Sequence, residues 1–489
     1  MKTMSRIFTA GSFYAQEILR SLDGVVAATR VSTEVSDSVR ERFQRPGYIQ
    51  QKEHTQSDGL ASISVDTWFS ALSRWDLGRD SPAVAIARLT IAITALKRLA
   101  RTSNDGEAAA KNIFSLWPHI CKTMKHPSLQ ERWLPSRSAY GFVTLPLYRP
   151  PTDSAQNELI RLDVWLPDGN RGNPDFAIRS NQTLAQSWVL AGKGAECQYD
   201  VHPVTNESDA THAEYRICGD GATLANSAAI VNCTQSSSQF LGTDTTYSIP
   251  AGRFHSTQVQ SESLYARLSY FDASCGLTAD AHVLGPIHGD SFSQAQESSA
   301  GTLTPQALAD QILQIQSWRS FLADGEHNAK IANWEHAKQS FDRALATLDA
   351  EHGVMNTKRY RAITLGKLGR TNRQFGRNAI AAEQLQSACA DLEDSVDKVK
   401  LSGELGTAYR QMGRLVEARA SFEMQYDAAK ALAILPRMCQ AIGNIGMVNY
   451  QLWEERQANQ QIGRAAASKT ATEEPKQDIR RRGAARARH

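Results

Sequence analysis

Between residues 61 and 135 the apolar positions recur at helical intervals. Trp68, Leu72 and Trp75 stand four and three apart, an Ala/Ile/Leu-rich run follows from Ala83 to Ala100, and 108–124 continues it. This period predicts a helical region. Residues 1–60 are mixed and polar, with a helical hint only at 13–22, and are expected to be poorly ordered or an extension. From about Tyr140 the period shortens. Apolar stretches at 141–148, 160–166, 187–191, 213–217 and 265–271 alternate with Gly, Pro, Asn, Asp and Ser clusters. That spacing predicts an all-β sandwich or barrel over 136–290. A serine-rich linker (291–304) follows. Helical periodicity resumes over 305–467 and is lost in a basic tail, 468–489, expected as a solvated end.

The helical C-terminal third repeats. Gly325, Gly369, Gly406 and Gly446 act as anchors. Twelve residues after each comes Ala337, Ala381, Ala418 or Ala458, and sixteen after each comes Phe341, Leu385, Phe422 or Ile462. At nineteen the residues are Ala344, Ala388, Gln425 and Ala465. Small residues recurring in register let two antiparallel helices approach, and a large one then fills the space beside them. A single such pair cannot bury its face alone, so several must stack.

The set Leu405-Gly406-Thr407-Ala408-Tyr409, Gly413, Ala418 and Phe422 resembles the tetratricopeptide repeat, and anchor spacings of 44, 37 and 40 are similar to the long repeats of the kinesin-light-chain type. The resemblance implies an α-solenoid whose first helices line a groove for an extended peptide or a partner's helix. Its groove positions fall on Arg370 and Arg373, on Lys400 and Arg410, and on Asn444, Met447 and Tyr450. Four cations in that wall would favour an acidic peptide, with salt-sensitive affinity.

Within the β region, Pro250-x-Gly252-x-x-His255 resembles the second conserved motif of cupins. The resemblance implies an antiparallel barrel in which His255 points inward. In metal-binding cupins it would join two histidines and a glutamate from a first motif, a donor set suited to iron, manganese, nickel or zinc. Here that motif falls on 178–192, where the histidine positions hold Arg179 and Asn181 and the glutamate position holds Ala185 or Gln186. An arginine cannot ligate a metal, so no cofactor is expected. Arg179, Asn181 and His255 become candidates for a small anionic or polar ligand, with His255 the remaining metal-ligand candidate. A divalent metal would need a site rebuilt from His202, His212, His282 or His288.

The fold class expected is thus multidomain α+β: an N-terminal helical region, a cupin-like antiparallel β-barrel and a C-terminal α-solenoid of helical hairpins. The 489 residues carry a formal charge of +3, too small an excess for a general nucleic-acid binder. No run of about 18 apolar residues suggests a membrane span. Residues 1–20 lack the apolar core of a secretory signal, and Glu17 interrupts any transit-peptide pattern. Seven cysteines form no CxxC pair, which points to reduced thiols and a cytoplasmic protein. Phosphate loops and the GxSxG elbow are absent from the sequence. The reading that follows is a scaffold or adaptor that holds a protein partner in the repeat groove. The alternative is a metal-dependent cupin oxygenase or isomerase with the repeats as a targeting arm.

Overall fold

A computed structural model describes residues 14–44, 64–75, 81–102, 106–150, 158–217, 223–289, 292–293, 303–349, 357–392 and 395–486. They fall into two compact units, one running to Ser317 and the other starting at Trp318. Among the described residues no helix is long and apolar enough to cross a membrane.

The first unit begins with helices α1 (Ala15–Thr29), α2 (Thr33–Gln44), α3 (Val65–Leu72), α4 (Pro82–Thr102) and α5 (Gly106–Met124). Two of them lie in the stretch expected to be poorly ordered. Helix α1 buries Ile18, Leu22 and Val25, spaced four and three, and Glu17 caps it by accepting the Tyr14 amide at 2.9 Å. Helix α4 opens with proline, whose fixed φ suits a first turn. Ala83 to Leu96 is buried on nearly all sides, so α4 is the central helix of this layer.

The β region forms two antiparallel sheets, and its strands do not close into one barrel. We number them β1 (Ser136–Arg137), β2 (Val143–Tyr148), β3 (Glu158–Trp165), β4 (Thr183–Ala191), β5 (Lys193–Val204), β6 (His212–Ile217), β7 (Thr223–Gly242), β8 (Thr246–Ile249), β9 (Phe254–Gln258), β10 (Tyr265–Leu277), β11 (His282–Gly285) and β12 (Phe292–Ser293). One sheet has the order β1-β2-β3-β10-β4-β8; the other runs β11-β6-β7-β5-β9, with β12 on β7. The expected cupin-like barrel is corrected to this sandwich. The chain passes from one sheet to the other between β4 and β5 at Gly192, whose φ of +86° a side chain would resist. The first sheet is buried on both faces, because α1, α4 and α5 cover its outer side. In the second, much of β7 is exposed, as expected of an antiparallel sheet with one solvated face. Phe142, Trp165, Val189 and Tyr265 of the first sheet's region share a core with Leu241 of β7.

The second unit consists of helical hairpins. Helix α6 (Pro305–Lys330), which belongs to this unit from Trp318 on, and α7 (Trp334–Asp349) make the first, α8 (Lys358–Gln374) and α9 (Asn378–Ala390) the second, and α10 (Val396–Gln411) and α11 (Leu415–Ala431) the third. Ala337, Ala381 and Ala418 lie in the opening turns of α7, α9 and α11 and are fully buried, as are Phe341, Leu385 and Phe422 nearly so. The glycines serve a slightly different partner from the one expected. A β-carbon at Gly406 would stand 2.6 Å from the Phe422 ring and one at Gly369 2.7 Å from Leu385, and one at Gly325 would clash with Phe341. Each anchor makes room for the large residue sixteen positions on.

The fourth repeat does not form a hairpin. Helix α12 (Leu435–Arg486) runs unbroken for 52 residues, so Gly446 and Ala458 share one helix. Ala458 is exposed and Ile462 is 66% exposed. The basic stretch beyond 467, expected as a disordered end, continues this helix to Arg486.

Candidate functional site

The second unit carries a groove of about 400 Å³ between α8, α10, α11 and the start of α12. Helical spacing brings its cations together: Lys367, Arg370 and Arg373 lie three apart on α8, Lys400 stands on α10 and Arg437 on α12. Among the described residues lining it, Glu404 is the carboxylate, and it accepts from Arg373 at 2.9 Å and faces Arg370 at 3.9 Å. Lys367 pairs with Glu326 of α6 at 2.5 Å. Arg437 donates to Gln440 at 2.7 Å. Five cations against one lining carboxylate leave a positive wall.

The groove floor is an amide. Gln425, 1% exposed, sits where the alanine of the repeat would be, and a β-carbon at Gly403 would come within 2.7 Å of its Nε2. Its Oε1 has no hydrogen-bond partner among the described residues.

Of the residues marked in the sequence as groove positions, Arg370, Arg373, Lys400 and Asn444 line this cavity. Arg410 is directed elsewhere, its Nη1 lying 2.8 Å from the Met447 sulfur. Met447 and Tyr450 are exposed on α12, with Tyr450 6.0 Å from Trp453, ring to ring. Lys367, Arg437, Glu404 and Gln425 were missed. Gln425 had a signal: it breaks the run of alanines at offset nineteen.

In the sandwich, Arg179 and His255 exchange both backbone hydrogen bonds, at 3.0 and 2.8 Å, so their side chains share one face. Asn181 accepts the Gly252 amide on its backbone oxygen at 2.8 Å and is half-buried. The Arg179 guanidinium lies over Tyr140, 4.4 Å from the ring centre, and its Nη2 has no hydrogen-bond partner among the described residues. His255 is 1% exposed; burial, and then Arg179, push its pKa well below the usual histidine value and hold the ring neutral. Its Nδ1 lies 3.2 Å from the Arg253 carbonyl. Among the described residues no group of three or more His, Cys, Asp and Glu side chains is placed to hold a metal. His282 and His288 instead pair with Glu214 and Glu207, each at 2.8 Å, and His212 with the Thr211 hydroxyl at 2.9 Å.

Sequence reasoning also missed an ion cluster in the sandwich. Arg267 of β10 lies in register opposite Asp163 of β3, 3.3 Å away, with Glu196 at 3.7 Å and the Tyr247 hydroxyl at 2.5 Å. Burial opposes the charge on Arg267, but Tyr247, Asp163 and Glu196 outweigh it and raise its pKa. On the other side of the sheet, Lys97 and Arg101 of α4 pair with Glu158, whose carboxylate also accepts from Tyr270 at 3.0 Å. Both clusters join elements of the fold and have their charges matched.

No family model matches the chain, and no curated protein matches it. Among solved structures it is similar to the Rap conjugation gene regulator of plasmid pLS20 in complex with the Phr* peptide, at 18% identity and a TM-score of 0.25 over 32% of this chain and 43% of that one. A tryptophan-to-tyrosine variant of oxalate decarboxylase from Bacillus subtilis is similar at 10% identity and a TM-score of 0.17, over 31% of each chain. The matched part thus spans less than half of either chain, and likenesses of this size establish neither a shared whole fold nor a shared activity.

Proposed function

We propose that this protein is an adaptor whose helical array binds an extended acidic peptide segment of a partner protein. The observation that carries the reading is the groove: five cations around one lining carboxylate. Acidic side chains of the peptide would meet that wall. The sandwich is read as a structural domain, because the Arg267 cluster and the Trp165–Tyr265 aromatics occupy its interior.

The test is a fluorescence-anisotropy titration of the full chain with labelled polyglutamate. Binding is expected to weaken steeply between low and physiological salt. Lys400→Glu with Arg437→Glu should weaken it by about tenfold or more while helix content is unchanged. Saturable binding that ignores both salt and this double variant would overturn the proposal, as would no binding at low salt.

A further inference from the structure

Among the described residues, one face of α12 has no helix packed on it. Leu435, Cys439, Ile442, Gly446, Tyr450 and Trp453 are spaced four, three, four, four and three apart, which puts them on one side. All six are exposed, and Leu435, Ile442, Tyr450 and Trp453 are each more than half so. A different side of the helix, with Ile445, Val448 and Leu452, packs on the third hairpin. Gly446 is the anchor that, in the other three hairpins, receives a large side chain from the following helix. Here a β-carbon would meet nothing within 4 Å at Gly446, and nothing at Gly443.

The occupant is written in the same chain. In the formed hairpins the contacts obey one register: Gly325 with Phe341, Gly369 with Leu385, Gly406 with Phe422, and Gly403 with Gln425. Applied to the fourth anchor, that register sets Ile462 over Gly446, Ala465 over Gly443 and Ala458 against Tyr450. Large meets small at the first and third places and small meets small at the second, and all three donor residues are exposed on the straight helix.

What differs is the turn. Seven residues after each anchor the first three hairpins reverse through a left-handed residue: Ala332 at φ 60°, Gly376 at 72° and Gly413 at 71°. At the fourth, that place holds Trp453, a bulky residue for which the left-handed region is strained, and it is followed by good helix formers. The helix therefore runs straight.

We propose that residues 456–465 fold back onto the Gly446 face and close a fourth hairpin, with Trp453 as the turn residue that holds the straight and closed forms in balance. Closing covers the apolar stripe; opening presents it. The proposal is independent of the groove, since neither Trp453 nor Ile462 lines it.

Hydrogen exchange on the full chain, read beside its mass in solution, tests this. A closed hairpin protects the amides of 456–465, and Ile462→Glu should speed their exchange by about tenfold or more. Trp453→Gly, which supplies the missing turn residue, should slow exchange beyond the parent. Both variants should keep a single-chain mass. Parent exchange as fast as in Ile462→Glu would overturn the proposal, and so would Trp453→Gly exchanging no slower than the parent. Protection accompanied by a two-chain mass would also overturn it, in favour of a second copy on the same face.

Discussion

Arg267 lies inside the sandwich with Asp163, Glu196 and the Tyr247 hydroxyl around it, whereas Lys400, Arg370 and Arg437 share a solvent-facing groove with Glu404 as its lining carboxylate. The first site matches its cation with carboxylates, and the second carries more cations than lining carboxylates. An ion taken out of water is costly unless matched where it sits, as Arg267 is; Arg179, also buried, rests on the Tyr140 ring instead. Charges left in water carry no such requirement. Their excess is therefore free for the binding proposed above, and matching by carboxylates is what distinguishes the Arg267 site from the groove.

The largest test of that contrast removes one buried partner. Asp163→Ala leaves Arg267 underpaired and is expected to cost about 3–5 kcal/mol, read by denaturant unfolding. Replacing the trio, as Asp163→Leu and Glu196→Leu with Arg267→Met, should recover most of the loss; a triple variant as unstable as the single one would mean the cluster does more than balance itself. Next in size is close packing in the array. Gly406→Ala pushes a β-carbon against Phe422 and should cost about 1–3 kcal/mol, measured the same way.

A pH effect comes third. His119, half-buried and stacked 3.5 Å from Phe69, has its pKa lowered from 6.5 to about 4, chiefly by burial and then by Arg88 and Lys122. The unfolded chain takes up this proton first. The stability tied to a neutral ring is therefore whole above 6.5 and is lost as pH falls toward 4. Melting temperature should decline over that window, and less steeply in His119→Gln. The smallest effect is the control: the exposed Arg419–Glu423 pair, at 2.8 Å, should contribute no more than about 0.5 kcal/mol, so Glu423→Ala should melt close to the parent. A large loss there would undo the distinction between balanced interior charge and solvated charge.

The parts legible in the sequence were those set by local spacing. Glycine, alanine and large residues at fixed offsets placed three hairpins, because helix packing repeats the same small-to-large contact. Counting offsets failed at the fourth, where Ala458 and Ile462 keep the register but Trp453 occupies the turn. The strands were legible from their alternation, but their closure was not. Whether edges such as β8 and β9 pair is decided by how sheets twist and cross at residues like Gly192, which no single strand encodes. Arg267 and Asp163 read as ordinary strand residues until register set them opposite one another. Helix α1 had its signal in Ile18, Leu22 and Val25, outweighed by the polar residues between them. In the groove, Lys367 and Arg437 come from helices far apart in sequence, and they become neighbours only once the hairpins stack.

Helix α1 lies so close to β2 that a side-chain carbon at Gly24 would enter the Tyr148 ring, and the Gly24 carbonyl accepts the Arg149 amide at 3.0 Å. The helix therefore acts as a lid on the sheet. A shortened product starting after Gln44, whether from internal initiation or proteolytic trimming, would bare the Tyr148 ring and strand that amide. Such a form would lose the helix that covers this part of the sheet, and with it the apolar contacts of Ile18, Leu22 and Val25.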